Sequence, residues 1–350
     1  MSSAELSVPM PPLPSQPAGV PWPAADWPEA ALEASVDRDA VERTIRMLVH
    51  EQHAATLGET HALLFVHRGR VVAEAYGPEH SRDTTSISWS MAKSVTHALV
   101  GVLVREGRLD VGAPAPVPAW QRPGDSRAGI TTEHLLRMCD GLDFVENYTP
   151  GGRSDVIEML FKSGQGDVAA FAESRPLAHE PGIWWSYSSG TSNVVSAIVG
   201  RRVGGGEAGM RDFMQRELFD RIGMRSATAR FDAAGTFIGS SYVFATARDF
   251  ARFGLLYLRD GLWGGERILP EGWVDHARGL TIPSFDQYGA HWWLARDGTG
   301  IFHASGFRGQ YIVVVPTRDL VVVRLGNTEE EQRAKVVHLL RDAVEAFPLV

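Results

Sequence analysis

The tetrapeptide Ser90-Met91-Ala92-Lys93 sets a hydroxyl and an amine three residues apart. On an α-helix, residues i and i+3 share a face, so the two side chains can meet. Apolar residues recur at 91, 95, 98, 99, 102 and 103, and Gly107 follows as a stop. This spacing predicts a half-buried helix with Ser90 at its start. The first amides of a helix lack partners and its dipole favours negative charge, so Ser90 would combine a nucleophile with half an oxyanion hole. An amine removed from water loses its proton more easily, and Lys93 could then take the serine proton. Of the 34 basic residues 31 are Arg, and Lys stands only at 93, 162 and 335. Arg does not deprotonate in proteins, so a retained Lys suits a site that needs a neutral amine. The same four residues also read as a helix cap followed by a surface lysine.

Two further stretches carry polar groups at suggestive places. In Pro181–Asn193 (PGIWWSYSSGTSN), Tyr187 precedes two serines and a helix expected over Thr191–Val199. A phenol near a cationic amine can pass a proton to a leaving group; alternatively Tyr187 is a core residue packed beside Trp184 and Trp185. In Ile301–Pro316 (IFHASGFRGQYIVVVP), Ala304-Ser305-Gly306 ends one strand and a second leaves after Gly309. Glycine in a strand often marks close approach of a ligand or another backbone, though an ordinary hairpin would look alike.

These groups need a scaffold, and the chain has length for one. It has 350 residues, 44% hydrophobic and 22% charged, which fits a globular protein and excludes disorder for its bulk. The net charge is −8 and no basic run exceeds Arg201-Arg202, against a nucleic-acid or anionic-membrane surface. A single cysteine, Cys139, forbids an internal disulfide. His50 and His53 share a helix face but lack a third ligand at suitable spacing, so no metal or other cofactor is expected. No apolar run is long enough for a membrane span, and no secretory signal is visible, so a cytoplasmic location is expected.

Residues 1–30 hold eight of the 20 prolines and read as an extended arm, which Trp22 and Trp27 could pin to the body. A helix is expected from Asp37 to His53, then a hairpin, His61–Val66 with Arg70–Tyr76, turning at Arg68-Gly69. Helical patterns follow at 131–138, 155–161, 168–173, 191–199, 209–222 and 246–258. Strands are expected over Ala290–Ala295, Gly300–Ala304, Tyr311–Val315 and Val321–Leu325, and a last helix over Glu330–Ala346. The order implies an α+β fold, an antiparallel sheet flanked by helices, with an inserted, mostly helical domain. The expected division is an arm (1–30), a sheet domain (31–115 with 240–350) and a helical domain (116–239).

Ser90-x-x-Lys93, then Tyr187-Ser188-Ser189, then Ser305-Gly306, in that order, resembles the serine β-lactamase and penicillin-binding superfamily. The closest pattern is its class C-like branch of esterases, DD-peptidases and 6-aminohexanoate-dimer hydrolases. GVPWPAADWP (19–28), LLRMCDGLDFVENY (135–148), LAHEPGIWWSYSSG (177–190) and ATARDFARFGLLYLRDGLWGGERILP (245–270) are similar to the same branch. The resemblance implies a β-lactamase/transpeptidase-like fold with Ser90 as the acylated nucleophile, Lys93 as its base and Tyr187 as a second acid/base. It places the oxyanion hole at the amides of Ser90 and Phe307, and Tyr148 on a loop covering the substrate. It implies a metal-free hydrolase of small esters or amides; a β-lactamase or DD-peptidase, or a binding or sensor protein that does not turn over, are the alternatives.

This chain departs from the superfamily's pattern at one position, a departure shared with the 6-aminohexanoate-dimer hydrolases. Lys-Thr-Gly or His-Thr-Gly is common there, and this chain has Ala304-Ser305-Gly306. A literal Lys162-Ser163-Gly164 precedes Tyr187 and is out of order. The cation for a substrate carboxylate is then sought at His303 or Arg308. Strand alternation turns His303 away from the side Ala304 faces, which leaves Arg308, whose fork suits a carboxylate, or makes Arg308 a surface residue of a turn.

Overall fold

The structure is a computed structural model that describes residues 10–51, 54–149, 151–285, 287–295 and 297–350. His53 and the first nine residues of the expected arm lie outside them. A six-stranded antiparallel sheet organises the molecule. In chain order its strands are β1 (Glu59–His67), β2 (Arg70–Tyr76), β3 (Trp293–Leu294), β4 (Phe302–Gly306), β5 (Gln310–Val315) and β6 (Leu320–Asn327), and in space β2-β1-β6-β5-β4-β3. The β1–β2 turn falls at Arg68-Gly69, both with positive φ (51° and 73°), the backbone that a tight two-residue hairpin requires.

Five helices bear on the site: α1 (Arg38–Ile45), α2 (Met91–Arg105), α3 (Ser189–Val203), α4 (Ala247–Leu258) and α5 (Glu330–Glu345). Because side chains alternate along a strand, each strand feeds both faces of the sheet. Leu64, Val66, Ala304, Ile312, Val314, Val321 and Val323 bury one face against α2 and α4. Phe65, Leu63, Tyr311, Val315 and Val322 bury the other against α1 and α5. Gly254 on α4 lets helix and sheet touch, since a Cβ there would lie 2.6 Å from Val321 and 2.8 Å from Ile312.

Several expected elements differ in extent. The first helix passes at Arg46 into a five-residue π-helical stretch ending at His50. The helix expected over 209–222 is likewise α-helical over Gly206–Met214 and π-helical over Gln215–Phe219. α3 begins two residues before expectation because the Ser188 hydroxyl caps it, accepting from the Thr191 amide at 2.9 Å. The strand expected over Ala290–Ala295 shrinks to Trp293–Leu294. His291 adopts φ +55° and is buried, its ring on Ser192 and the Leu136 carbonyl, so the chain leaves the extended path there. The proline-rich arm is held by arginines as well as tryptophans. Trp27 is buried with its indole N–H on the Arg248 carbonyl, Trp22 packs on Trp263, and Arg252 donates to the carbonyls of Pro23 and Ala25.

Arg324 on β6 is fully buried, and among the described residues no carboxylate is in reach of a salt bridge with it. Its guanidinium donates instead to the carbonyls of Glu59, Arg308 and Gly309 and to the hydroxyls of Thr60 and Thr328. Burial lowers its pKa to about 10. These bonds tie the Phe307–Gly309 turn to the start of β1. Among the described residues no helix is long and apolar enough to cross a membrane.

Candidate active site

Ser90 sits immediately before α2, as its spacing implied, on a turn that the local sequence clamps hard. The Ser88 amide donates to the Val243 carbonyl at 2.7 Å, and the Ser88 hydroxyl accepts from the Val243 amide at 3.0 Å. Trp89 then takes φ +44°, a strained conformation for a bulky residue, and delivers Ser90 to the helix start.

One turn into α2, Lys93 is only 2% exposed. Its Nζ lies 3.1 Å from Ser90 Oγ, 3.0 Å from Ser189 Oγ and 3.0 Å from the Ser240 carbonyl oxygen. Ser240 is itself held by Asn193 of α3, whose side-chain oxygen accepts the Ser240 amide at 3.1 Å. Burial lowers the Lys93 amine to about 8, with the Glu146 carboxylate opposing the shift. The amine is thus desolvated, ordered and within reach of neutrality.

Tyr187 arrives from the segment before α3. Its ring lies 4.8 Å from Lys93 Nζ, and burial pushes its phenol up while a hydrogen-bonding interaction with Ser90 draws it back. The expected packing beside Trp184 and Trp185 is corrected by the structure. Tyr187 stands on Trp293 and Tyr288, Trp185 joins that aromatic cluster, and Trp184 turns outward onto His179.

The end of β4 closes the other side. A Cβ on Gly306 would lie 2.3 Å from the Ser88 carbonyl oxygen, so the close approach that this glycine permits is by the turn carrying Ser90. Phe307 follows, its ring edge-on to Trp89 at 5.6 Å. Among the described residues the Ser90 and Phe307 amides donate no hydrogen bond within the protein. Tyr148 lies over this corner, stacked on Phe307 at 5.3 Å, with its hydroxyl on Glu146 at 2.8 Å.

Ala304 is buried in the core, and His303 and Ser305 face the opposite side, as alternation required. Arg308 is ion-paired with Glu329 at the surface, φ +65°, with its guanidinium over the Phe307 ring at 5.2 Å. The cation near Ser305 is Arg333, from α5. Its Nη2 is 3.5 Å from Ser305 Oγ and its Nε 3.2 Å from the Tyr311 hydroxyl, and its charge acts on the Tyr187 phenol. The Lys162 of the out-of-order Lys-Ser-Gly is exposed beside Glu158.

Glu146, Ser240 and Arg333 escaped sequence reading. Glu146 stands two residues before Tyr148 in a stretch already notable, but nothing in its spacing ties it to Ser189. Ser240 acts through its carbonyl, which any residue type supplies, and Arg333 is one arginine among 31.

Several known proteins are similar to this chain in sequence or in fold. The chain is 27% identical over 290 residues to the 6-aminohexanoate-dimer hydrolase of Paenarthrobacter ureafaciens, covering 77% of this chain and 72% of that protein. It superposes with a TM-score of 0.76 on a Bacillus anthracis protein provisionally named a 6-aminohexanoate-dimer hydrolase, at 21% identity, covering 93% and 89% of the two chains. A hydrolase with promiscuous acyltransferase activity matches with a TM-score of 0.66, at 16% identity, over 87% of this chain and 98% of the other. At such identities these two likenesses are of fold. The sequence profile of the Beta-lactamase family matches residues 41–346, nearly the whole of the chain that builds the sheet, its helices and the Ser90 corner, and the protein belongs to that family.

Proposed function

We propose that this serine hydrolase of the β-lactamase family acts on small carboxylic esters and amides through an acyl-enzyme on Ser90. The observation that carries the reading is Lys93 Nζ, buried, at 3.1 Å from Ser90 Oγ. In the first half-reaction Ser90 Oγ bonds to the substrate carbonyl carbon while its proton passes to the Lys93 amine. The oxygen that becomes negative is met by the Ser90 and Phe307 amides. Tyr187, beside both Lys93 and Ser90, relays a proton to the leaving alcohol or amine as its bond to carbon breaks. Water then attacks the ester on Ser90, and the same groups return the proton to Ser90 Oγ as the acid leaves. A 6-aminohexanoate-dimer hydrolase and an acyl-transferring hydrolase among the similar proteins support this substrate class.

A second reading, substrates that carry a carboxylate beside the scissile bond, is favoured by Arg333 near Ser305. The deciding experiment labels the protein with a fluorophosphonate probe and assays p-nitrophenyl esters, a linear amide and a penicillin side by side. The expected adduct is on Ser90, with short esters turned over faster than penicillin. An adduct on Ser189 or Ser305, or a penicillin kcat/KM above that of the best ester, overturns the reading.

A further inference from the structure

We propose that Glu146 is a positioning residue that sets the direction of the hydrogen-bond chain on Lys93, acting through the Ser189 hydroxyl. Glu146 Oε2 accepts the Ser189 amide at 2.8 Å, and Oε1 accepts the Ser189 hydroxyl at 2.7 Å and the Tyr148 hydroxyl at 2.8 Å. A carboxylate only accepts, so the Ser189 hydroxyl proton is committed to Glu146. Ser189 Oγ can then only accept from Lys93, at 3.0 Å. The Ser240 carbonyl, also at 3.0 Å, accepts by necessity. A neutral amine has two N–H bonds and one lone pair. With both N–H bonds directed at Ser189 and Ser240, the lone pair is left for the remaining neighbour, Ser90 Oγ. Glu146 thereby orients the base without touching substrate. Through Tyr148 it also links that orientation to the aromatic cover on Phe307.

The charge of Glu146 has a second consequence. The titratable groups facing Lys93 are the Tyr187 phenol, the His291 imidazole and Glu146 itself. Burial raises Tyr187 and lowers His291 to about 3, so both are neutral near pH 8, and Glu146 is the one that favours the protonated amine. Removing its charge moves the Lys93 titration to lower pH. Removing its acceptor geometry frees the Ser189 proton to point at the Lys93 lone pair and compete with Ser90.

This inference rests on the Ser90–Lys93 acyl-enzyme reading, and the test separates the two. The rate at which a fluorophosphonate labels Ser90 is followed against pH for the wild type, Glu146→Gln, Glu146→Asp, Ser189→Ala and Glu146→Gln with Ser189→Ala, with folding checked by near-ultraviolet circular dichroism. Glu146→Gln is expected to lower the plateau rate by about tenfold or more, part of the range of a lost base, and to shift the rising limb to lower pH. Ser189→Ala lowers the plateau with its midpoint unchanged, because the charge stays. The double variant falls no further than Glu146→Gln. Glu146→Asp keeps the midpoint and loses plateau, and it carries the test alongside Ser189→Ala should Glu146→Gln not fold. Midpoints and plateaus equal to the wild type, or additive losses in the double variant, overturn the role of Glu146. Failure of the wild type to label at Ser90 instead overturns the reading beneath it.

Discussion

In the proposed mechanism only a neutral Lys93 can accept the Ser90 proton. Burial holds the amine at about 8, so kcat/KM for p-nitrophenyl butyrate should rise with pH through about 8 and level off above it. A profile already flat through neutral pH would place the base elsewhere. Lys93→Arg should be nearly as damaging as Lys93→Ala, each costing about 10² to 10⁴ in kcat, because a guanidinium keeps the charge and cannot give up its proton. Retention of most activity by the arginine variant would reduce Lys93 to an electrostatic partner. The Ser90–Lys93 contact was legible in the sequence because i, i+3 spacing at a helix start brings the two side chains together. Glu146 was not, since its contact with Ser189 bridges 43 positions and exists only once the loop before helix 155–161 folds over the start of α3.

At the scale of elements, the site is a corner where the start of α2 meets the end of β4. Gly306 makes that corner possible, and Gly306→Ala must push the Ser88 backbone away by a large fraction of an ångström. The expected outcome is lower kcat with a lower melting temperature, measured by ester assay and thermal scan; wild-type values for both would show that the corner relaxes freely. The helix α5 makes a separate contribution through Arg333. Arg333→Ala should raise KM for esters bearing a carboxylate about tenfold and leave neutral esters alone, in line with the loss of one charge-assisted hydrogen bond. Arg308→Ala, with its partner Glu329 at the surface, should change neither. Equal effects of the two variants would dissolve the distinction. The helices and long strands followed from periodicity, whereas β3 and the π-helical stretches did not. Their limits depend on His291 turning inward and on extra residues accommodated within helices, and neither leaves a mark in hydrophobic spacing.

For the molecule as a whole, the sheet's two covered faces divide the labour. α2, packed with α4 on one face, places Ser90 and Lys93, the proposed nucleophile and base, while α5 on the other holds Arg333 near Ser305. Arg324 joins these layers at the Phe307–Gly309 turn, so the proposed oxyanion corner is tied to β1 and β6. The described part of the arm is fastened by contacts of Trp27 with the Arg248 carbonyl and of Arg252 with the Pro23 carbonyl.

The scarcity of lysine also determines where the protein can be handled. Lys162 and Lys335 are exposed and Lys93 is 2% exposed, so apart from a terminal amine a bulky N-hydroxysuccinimide ester has two side chains to meet. Burial lowers the Lys93 amine to about 8, so at mildly alkaline pH the lysine that most readily gives up its proton is also the one least accessible to such a reagent. Mass spectrometry after treatment with an amine-reactive dye should find adducts at Lys162 and Lys335, none at Lys93, and undiminished esterase activity. Loss of activity in step with a Lys93 adduct would show a pocket open enough to admit the dye. Coupling through these two residues would tether the molecule to a bead or a fluorophore by an outer helix or helix end, leaving its chemistry untouched.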